Sequence, residues 1–196
     1  MRVGIYGGSF NPIHRGHTGL ATDICRAGLV DEVWLMVSPL NPLKREQQTE
    51  LLPTDERLHM AQLATAGSDC LKVSDLETRL PLPSYTVHTL AALHEQHPDH
   101  EFVLIVGEDN WQRFDRWYHA DEIRAQHDIV VYGRDADMGM VLHHPDGTSE
   151  VHPQPRRYDI SSTAIRQALS RGELDVPRRW LHPDVYRYVR SHRLYV

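Results

Sequence analysis

The chain has 196 residues, enough for one domain with a sizeable core, and its 40% hydrophobic and 24% charged content is ordinary for a soluble globular protein. A formal net charge of −6 argues against general nucleic-acid binding, which needs clustered Lys and Arg, but leaves room for a small anionic ligand at a local positive site. No apolar run approaches a membrane span, the first residues read as a strand rather than a signal peptide, and the well-separated Cys25 and Cys70 read as free thiols, so a cytoplasmic enzyme or binding protein is expected.

The first strand is predicted over Arg2–Tyr6 and runs straight into Gly7-Gly8-Ser9-Phe10-Asn11-Pro12-Ile13-His14-Arg15-Gly16-His17. Gly7 and Gly8 let the backbone turn sharply and approach a ligand where a Cβ would obstruct. A helix expected from about His17 to Ala27, stopped by Gly28, adds free N–H groups and the positive end of its dipole. The segment therefore reads as a phosphate site, with His14 and His17 as side-chain donors. Its spacing matches neither the dinucleotide fingerprint nor the Walker loop. A zinc site on the two histidines would lack a third Cys or His placed nearby, so no protein-held metal is expected.

Glu32–Ser38 predicts a second strand, followed by the polar segment Pro39–Lys44. Thr54 is expected to cap a second helix, with Asp55 and Glu56 in its first turn and Gly67 as its stop. Leu71–Asp75 predicts the third strand. A third helix starts near Thr86, buries Val87, Leu90, Ala91 and Leu93, and ends before Pro98. Strands are then expected over Glu101–Val106 and Asp128–Tyr132, the former leading into Gly107–Asn110. Residues 134–157 read as a loop or hairpin with one edge strand, Glu150–His152. A fourth helix, Thr163–Arg171, is capped by Ser161 or Ser162 and stopped by Gly172; a last helix lies near Pro183 to His192.

Apolar strands alternating with helices predict an α/β fold with a mostly parallel sheet. In such sheets ligands lie beyond the carboxyl ends of the strands, where the first turn, Pro39–Lys44 and Gly107–Asn110 all fall. Ile160-Ser161-Ser162-Thr163-Ala164-Ile165-Arg166 reads as a second anion site, because three hydroxyl residues at a helix start offer donors beside the free N–H groups and Arg166 could fork onto phosphate oxygens. Two phosphate sites, one near each end of the chain, suggest a polyphosphate held between them.

GGSFNPIHRGH taken together with ISSTAIR resembles the nucleotidyltransferase superfamily with HxGH and (I)SSTxIR-type motifs, and within it the bacterial nicotinate mononucleotide adenylyltransferase family. The similarity extends through Asn41–Lys44, Ser84–Leu90, Gly107–Trp111, Trp117-Tyr118 and His182–Val189. It implies a Rossmann-like, doubly wound sheet of nucleotidyltransferase type in a single domain over residues 1–196, with a helical segment of about 160–196 carrying ISSTxIR. It also implies adenylyl transfer from ATP to nicotinate mononucleotide, giving deamido-NAD and pyrophosphate, with Mg²⁺ travelling on ATP.

By that resemblance His14 and His17 contact the ATP phosphates and the transition state, Gly7, Gly8, Ser9 and Phe10 shape the loop, and Lys44 neutralises phosphate charge. Ser161, Ser162, Thr163 and Arg166 would grip the β- and γ-phosphates, while Gly107 and Asp109 belong to the ATP side, Asp109 reaching a ribose hydroxyl. Tyr85 and Thr86 at a helix start would receive the nicotinate carboxylate, and Trp117 would stack on the pyridine ring. His88 departs from the Asp or Asn common at its position in the family. The residues alone leave other readings open: Asp109 as a helix cap, Trp117 as a core aromatic, Lys44 as a solvated lysine. Nicotinamide mononucleotide or phosphopantetheine as acceptor, a nucleotide-binding sensor without turnover, and a homo-oligomer are likewise compatible with the sequence.

Overall fold

Strand side chains alternate between two apolar faces, and both faces are covered, which is why the strand runs show so little polar alternation. The computed structural model describes residues 1–40, 51–133, 139–153 and 156–196. Its sheet has seven strands in the order β3-β2-β1-β4-β5-β6-β7, namely β1 (Arg2–Gly8), β2 (Glu32–Val37), β3 (Leu71–Ser74), β4 (Glu101–Gly107), β5 (Ile129–Tyr132), β6 (Met140–His143) and β7 (Ser149–His152). The first five are mutually parallel, and β6 and β7 add an antiparallel edge.

One face packs Val33, Leu35, Val103 and Ile105 against helices α1 (Arg15–Arg26), α2 (Thr54–Thr65), α6 (Ser162–Ser170) and α8 (Pro183–Ser191) through Leu20, Met60, Ile165 and Val185. The other packs Val3, Ile5, Phe102 and Leu104 against α3 (Thr86–Gln96), Phe114 and α5 (Ala120–Gln126) through Leu90, Leu93 and Ile123. These residues are nearly all below a few per cent exposed, so the two layers bury the large apolar area that drives folding.

The direction of strand succession reverses between β1 and β4, and the register shows what that does. Their pairing ends at Tyr6↔Ile105, yet β1 continues beside β2 to Gly8↔Val37 and β4 continues beside β5 to Gly107↔Tyr132. Beyond Tyr6 and Ile105 the two strands part, and a crevice opens at their carboxyl ends, the usual ligand position in such sheets.

The five predicted strands are all present, as is the β7 edge strand, and Gly28, Gly67 and Gly172 end their helices at φ +72°, +78° and +73°. Some local expectations differ: in α3 (Thr86–Gln96) Leu90 and Leu93 are buried as expected, but Ala91 is exposed and Val87 only half-buried. Helix α1 begins at Arg15 with His14 as its N-cap, ahead of the expected His17. Pro53, not Thr54, occupies the N-cap position of α2, with no side-chain capping bond; the Thr54 hydroxyl instead accepts from Arg57 at 3.1 Å. Strand β6, α4 (Glu108–Trp111), α5 and α7 (Asp175–Trp180) were not legible, being short or lacking a clean period. Cys25 and Cys70 are free thiols, and Cys25 Sγ donates to the Cys70 carbonyl at 3.8 Å.

Candidate active site

The loop after β1 crosses the crevice and hands the chain to α1. Its sharp turn is made at Phe10, at φ +46°, rather than at the glycines, which complete β1. Gly8 is needed for a different reason: a Cβ there would stand 2.9 Å from the Phe10 ring, which folds back over it. Gly7 faces open space on the cavity side, as backbone meant to approach a ligand should. At Gly16 a Cβ would come within 2.9 Å of His14 Nδ1 and 3.0 Å of Ile160, so only glycine lets α1 start against both.

His14 and His17 stack with ring centroids 3.7 Å apart and planes 22° apart. Burial lowers the His14 pKa to about 4, so its ring is neutral at ordinary pH. Its Nδ1 is buried without a hydrogen-bond partner among the described residues. The His14 backbone N–H donates to His17 Nδ1 at 3.2 Å. A backbone N–H can only donate, so His17 Nδ1 carries no proton while that bond stands, and the ring proton is on Nε2. His17 is thereby fixed as an Nε2–H donor. Phe10 and Tyr6 hold its ring from the side, Phe10 edge-on at 5.0 Å.

Helix α6 meets this loop directly. Ser161 caps the helix by accepting from Ala164 N at 3.1 Å, which leaves its hydroxyl proton for a ligand. Ser162 Oγ donates to the Pro12 carbonyl at 2.9 Å, so its single proton is committed to the loop and it is a fastener rather than a phosphate donor in this arrangement. Arg166 donates to the Asn11 carbonyl at 3.0 Å and reaches Thr163 Oγ1 at 3.5 Å. A guanidinium carries five N–H donors, and this one lies along the lining of the cavity.

Both motifs line one cavity of about 740 Å³ at the crevice. From the first loop it takes Gly7, Gly8, Ser9, Phe10, His14 and His17; from α6, Ser161, Ser162, Thr163 and Arg166. Gly107 and Asp109 form its wall at the end of β4, and Thr86 and Trp117 line its far side. Tyr85 is not a lining residue: as N-cap of α3 it packs on Tyr118 at 4.7 Å, and His88 joins them. Lys44 lies outside the described residues, with the rest of 41–50. Trp117 packs against Phe114 at 4.9 Å, and its Nε1 is buried without a hydrogen-bond partner among the described residues.

Four further residues matter here. Arg57, 1% exposed, donates to the carbonyls of Ser9 (2.7 Å), Ser38 (2.8 Å) and Leu52 (2.9 Å), tying the first loop to the end of β2. Glu77, also buried, lines the cavity and accepts from Thr89 Oγ1 at 3.0 Å; burial raises its carboxyl pKa against the opposing pull of the Ser38, Thr89 and Ser84 hydroxyls. Tyr132 meets Tyr6 hydroxyl to hydroxyl at 2.9 Å, and Tyr158 donates to Asp23 at 2.8 Å above Gly19, where a Cβ would clash at 2.4 Å. No motif marks these four. Arg57 looks like any charged residue of a helix, and only its distance from solvent reveals its work.

The donors of this cavity are imidazole N–H, hydroxyl, guanidinium and backbone N–H, a set suited to phosphate oxygens. Residues 5–168 match the Cytidylyltransferase-like family model. The chain is 46% identical to a "Probable nicotinate-nucleotide adenylyltransferase" of Bacteroides thetaiotaomicron, over 98% of this chain and 92% of that one. It is 44% identical to a protein of the same description from Bacteroides fragilis, over 96% and 90%. The fold is that of Plasmodium falciparum nicotinic acid mononucleotide adenylyltransferase, solved in complex with NaAD, with a TM-score of 0.74 over 99% of this chain and 97% of that one at 19% identity. With its two motifs meeting in one crevice and relatives this similar along nearly its whole length, the chain belongs to the nicotinate-nucleotide adenylyltransferase family of cytidylyltransferase-like proteins.

Proposed function

We propose that the protein transfers the adenylyl group of ATP to nicotinate mononucleotide, giving deamido-NAD and pyrophosphate in NAD biosynthesis. The observation that carries this reading is the single cavity in which the His14–His17 loop faces Ser161–Arg166, with Thr86 and Trp117 across from them. A phosphate oxygen of the acceptor attacks the α-phosphorus of ATP. That bond forms as the bond from the α-phosphorus to the bridging oxygen breaks, and pyrophosphate leaves with the electron pair.

No nucleophilic side chain is required, so the protein contributes position and charge stabilisation. His17 donates Nε2–H to a non-bridging oxygen as negative charge gathers there, without having to change protonation state. Arg166 and the free N–H groups of α6 hold the departing β- and γ-phosphates. Lys44 adds positive charge, and Asp109 takes a ribose hydroxyl of ATP. Trp117 stacks on the pyridine ring, and the backbone at Tyr85 and Thr86 receives its carboxylate. Mg²⁺ enters as the ATP complex: among the described residues no group of three or more His, Cys, Asp or Glu stands where it could hold a metal ion, and the donors facing the phosphates are cationic or neutral.

The test is pyrophosphate release from ATP and Mg²⁺ with three acceptors side by side. Turnover is expected to be fastest with nicotinate mononucleotide, slower with nicotinamide mononucleotide and absent with phosphopantetheine. Release with phosphopantetheine alone, or nucleotide binding without release in any mixture, overturns the reading.

A further inference from the structure

Tyr195 is separated from Asn11 by 184 positions, yet its hydroxyl donates to Asn11 Oδ1 at 2.8 Å. Asn11 is 3% exposed and lines the cavity between Phe10 and His14. Its side-chain oxygen also accepts from Leu52 N at 3.2 Å, and its backbone carbonyl accepts from Arg166 Nη1 at 3.0 Å. One residue of the first loop thus joins three distant segments: the entry to α2, helix α6 and the end of the sequence.

The path that brings Tyr195 there is not a relaxed one. Helix α8 ends at Ser191, and Arg193 (φ +51°) and Tyr195 (φ +65°) both adopt the left-handed conformation that non-glycine residues avoid. Such backbone persists where side-chain contacts over-determine it. Here the turn drives Leu194 and Tyr195 onto the core and points the phenol at Asn11. Burial holds the Tyr195 hydroxyl above its ordinary pKa, so it stays protonated and can only donate to the amide oxygen.

We infer that Tyr195 is a positioning residue for the phosphate half of the site. Its hydroxyl fixes the Asn11 amide, which orients the Asn11 peptide that receives Arg166 and sets the loop leading into His14. In its catalytic consequence this rests on the adenylyl-transfer reading. The effect belongs to ATP and not to the acceptor, because every group tied through Asn11 lies on the phosphate side of the cavity.

The experiment compares wild type, Y195F, N11A and the double variant in the intact chain. Phenylalanine keeps the ring that packs on the core and removes only the hydroxyl. Expected for Y195F is a ~3- to 10-fold fall in kcat/KM for ATP, the scale of one hydrogen bond, with the KM for nicotinate mononucleotide within twofold of wild type and a thermal midpoint lowered by no more than ~5 °C. In the N11A background Y195F should cost nothing further. Calorimetric titration with ATP alone should show the same ~3- to 10-fold weakening in Y195F, a readout that needs no turnover. Unchanged ATP affinity and kcat/KM in Y195F overturn the inference. So does a loss shared equally by both substrates with a midpoint lowered by more than ~5 °C, which would make Tyr195 a packing residue only, and so do additive effects with N11A. Wild-type protein that binds ATP but releases no pyrophosphate defeats the reaction assigned above, while the titration still decides the role of Tyr195.

Discussion

The two ends of the cavity are built differently. At the end where the first loop meets α6, three carbonyls of that loop are each held by a side-chain donor: Arg57 on Ser9, Arg166 on Asn11, Ser162 on Pro12. At the opposite end the aromatic groups are more open to solvent, and Tyr118, 49% exposed, packs against the rings of Tyr85, His88 and His119. The chemistry accounts for the difference. Charge develops on the transferring phosphoryl group, and donors stabilise it only if they need no reorganisation at that moment. The acceptor ring has merely to be bound and oriented, for which a less rigid stacking surface suffices.

Breaking the rigid end should have the largest effect. In H17A the loss of the fixed Nε2–H donor is expected to lower kcat by ~10²–10³, with ATP binding still measurable; steady-state kinetics beside a direct titration checks it, and near-wild-type turnover would sink the role. R57A removes a buried cation and strands three carbonyls, so it should cost ~3 kcal/mol of stability and lower the thermal midpoint by ~6–12 °C. An R57A protein melting within a degree of wild type would show that the loop is held by other means.

At the looser end W117A should raise the KM for nicotinate mononucleotide by ~5- to 100-fold, from ~1–3 kcal/mol of stacking, and leave the KM for ATP nearly unchanged. Equal rises for both substrates would erase the distinction between the two ends.

A further expected effect concerns pH. His14 has its folded pKa lowered to about 4 by burial against an ordinary 6.5, so between those values the unfolded chain takes up the proton first. The His14 contribution to stability is complete above pH 6.5 and is lost as pH falls toward 4, at no more than ~1.4 kcal/mol per pH unit. His127, His143 and His182 are also lowered, with burial the largest cause, and share this sign. Urea unfolding from pH 4.5 to 7.5 should therefore show a shallower slope in H14N than in wild type, and parallel curves would contradict a neutral, buried His14.

Most of the strand plan was legible because strands covered on both faces are unbroken apolar runs with glycine or proline punctuation. Strand β6 escaped because Met140–His143 is short and its start adjoins a polar, glycine-containing stretch. The two motifs that line the cavity were legible because glycine spacing and clustered hydroxyls have few other uses at strand and helix ends. Their division of labour was not. Ser161 and Ser162 are adjacent and chemically alike, yet one caps its own helix and the other fastens the opposite loop. Tyr85 and Thr86 are adjacent as well, but only Thr86 lines the cavity.

The sequence by itself determined that a glycine-containing loop after the first strand and a hydroxyl-rich helix start would stand at strand and helix ends in an α/β sheet, since those properties follow from local residue chemistry and apolar periodicity. That the two would serve one ligand was expected from the sequence; tertiary structure alone decided how they meet in one crevice. That outcome depends on where β1 and β4 part, and on a buried Arg57 and a distant Tyr195 reaching the same loop, contacts between residues with no local signal in common.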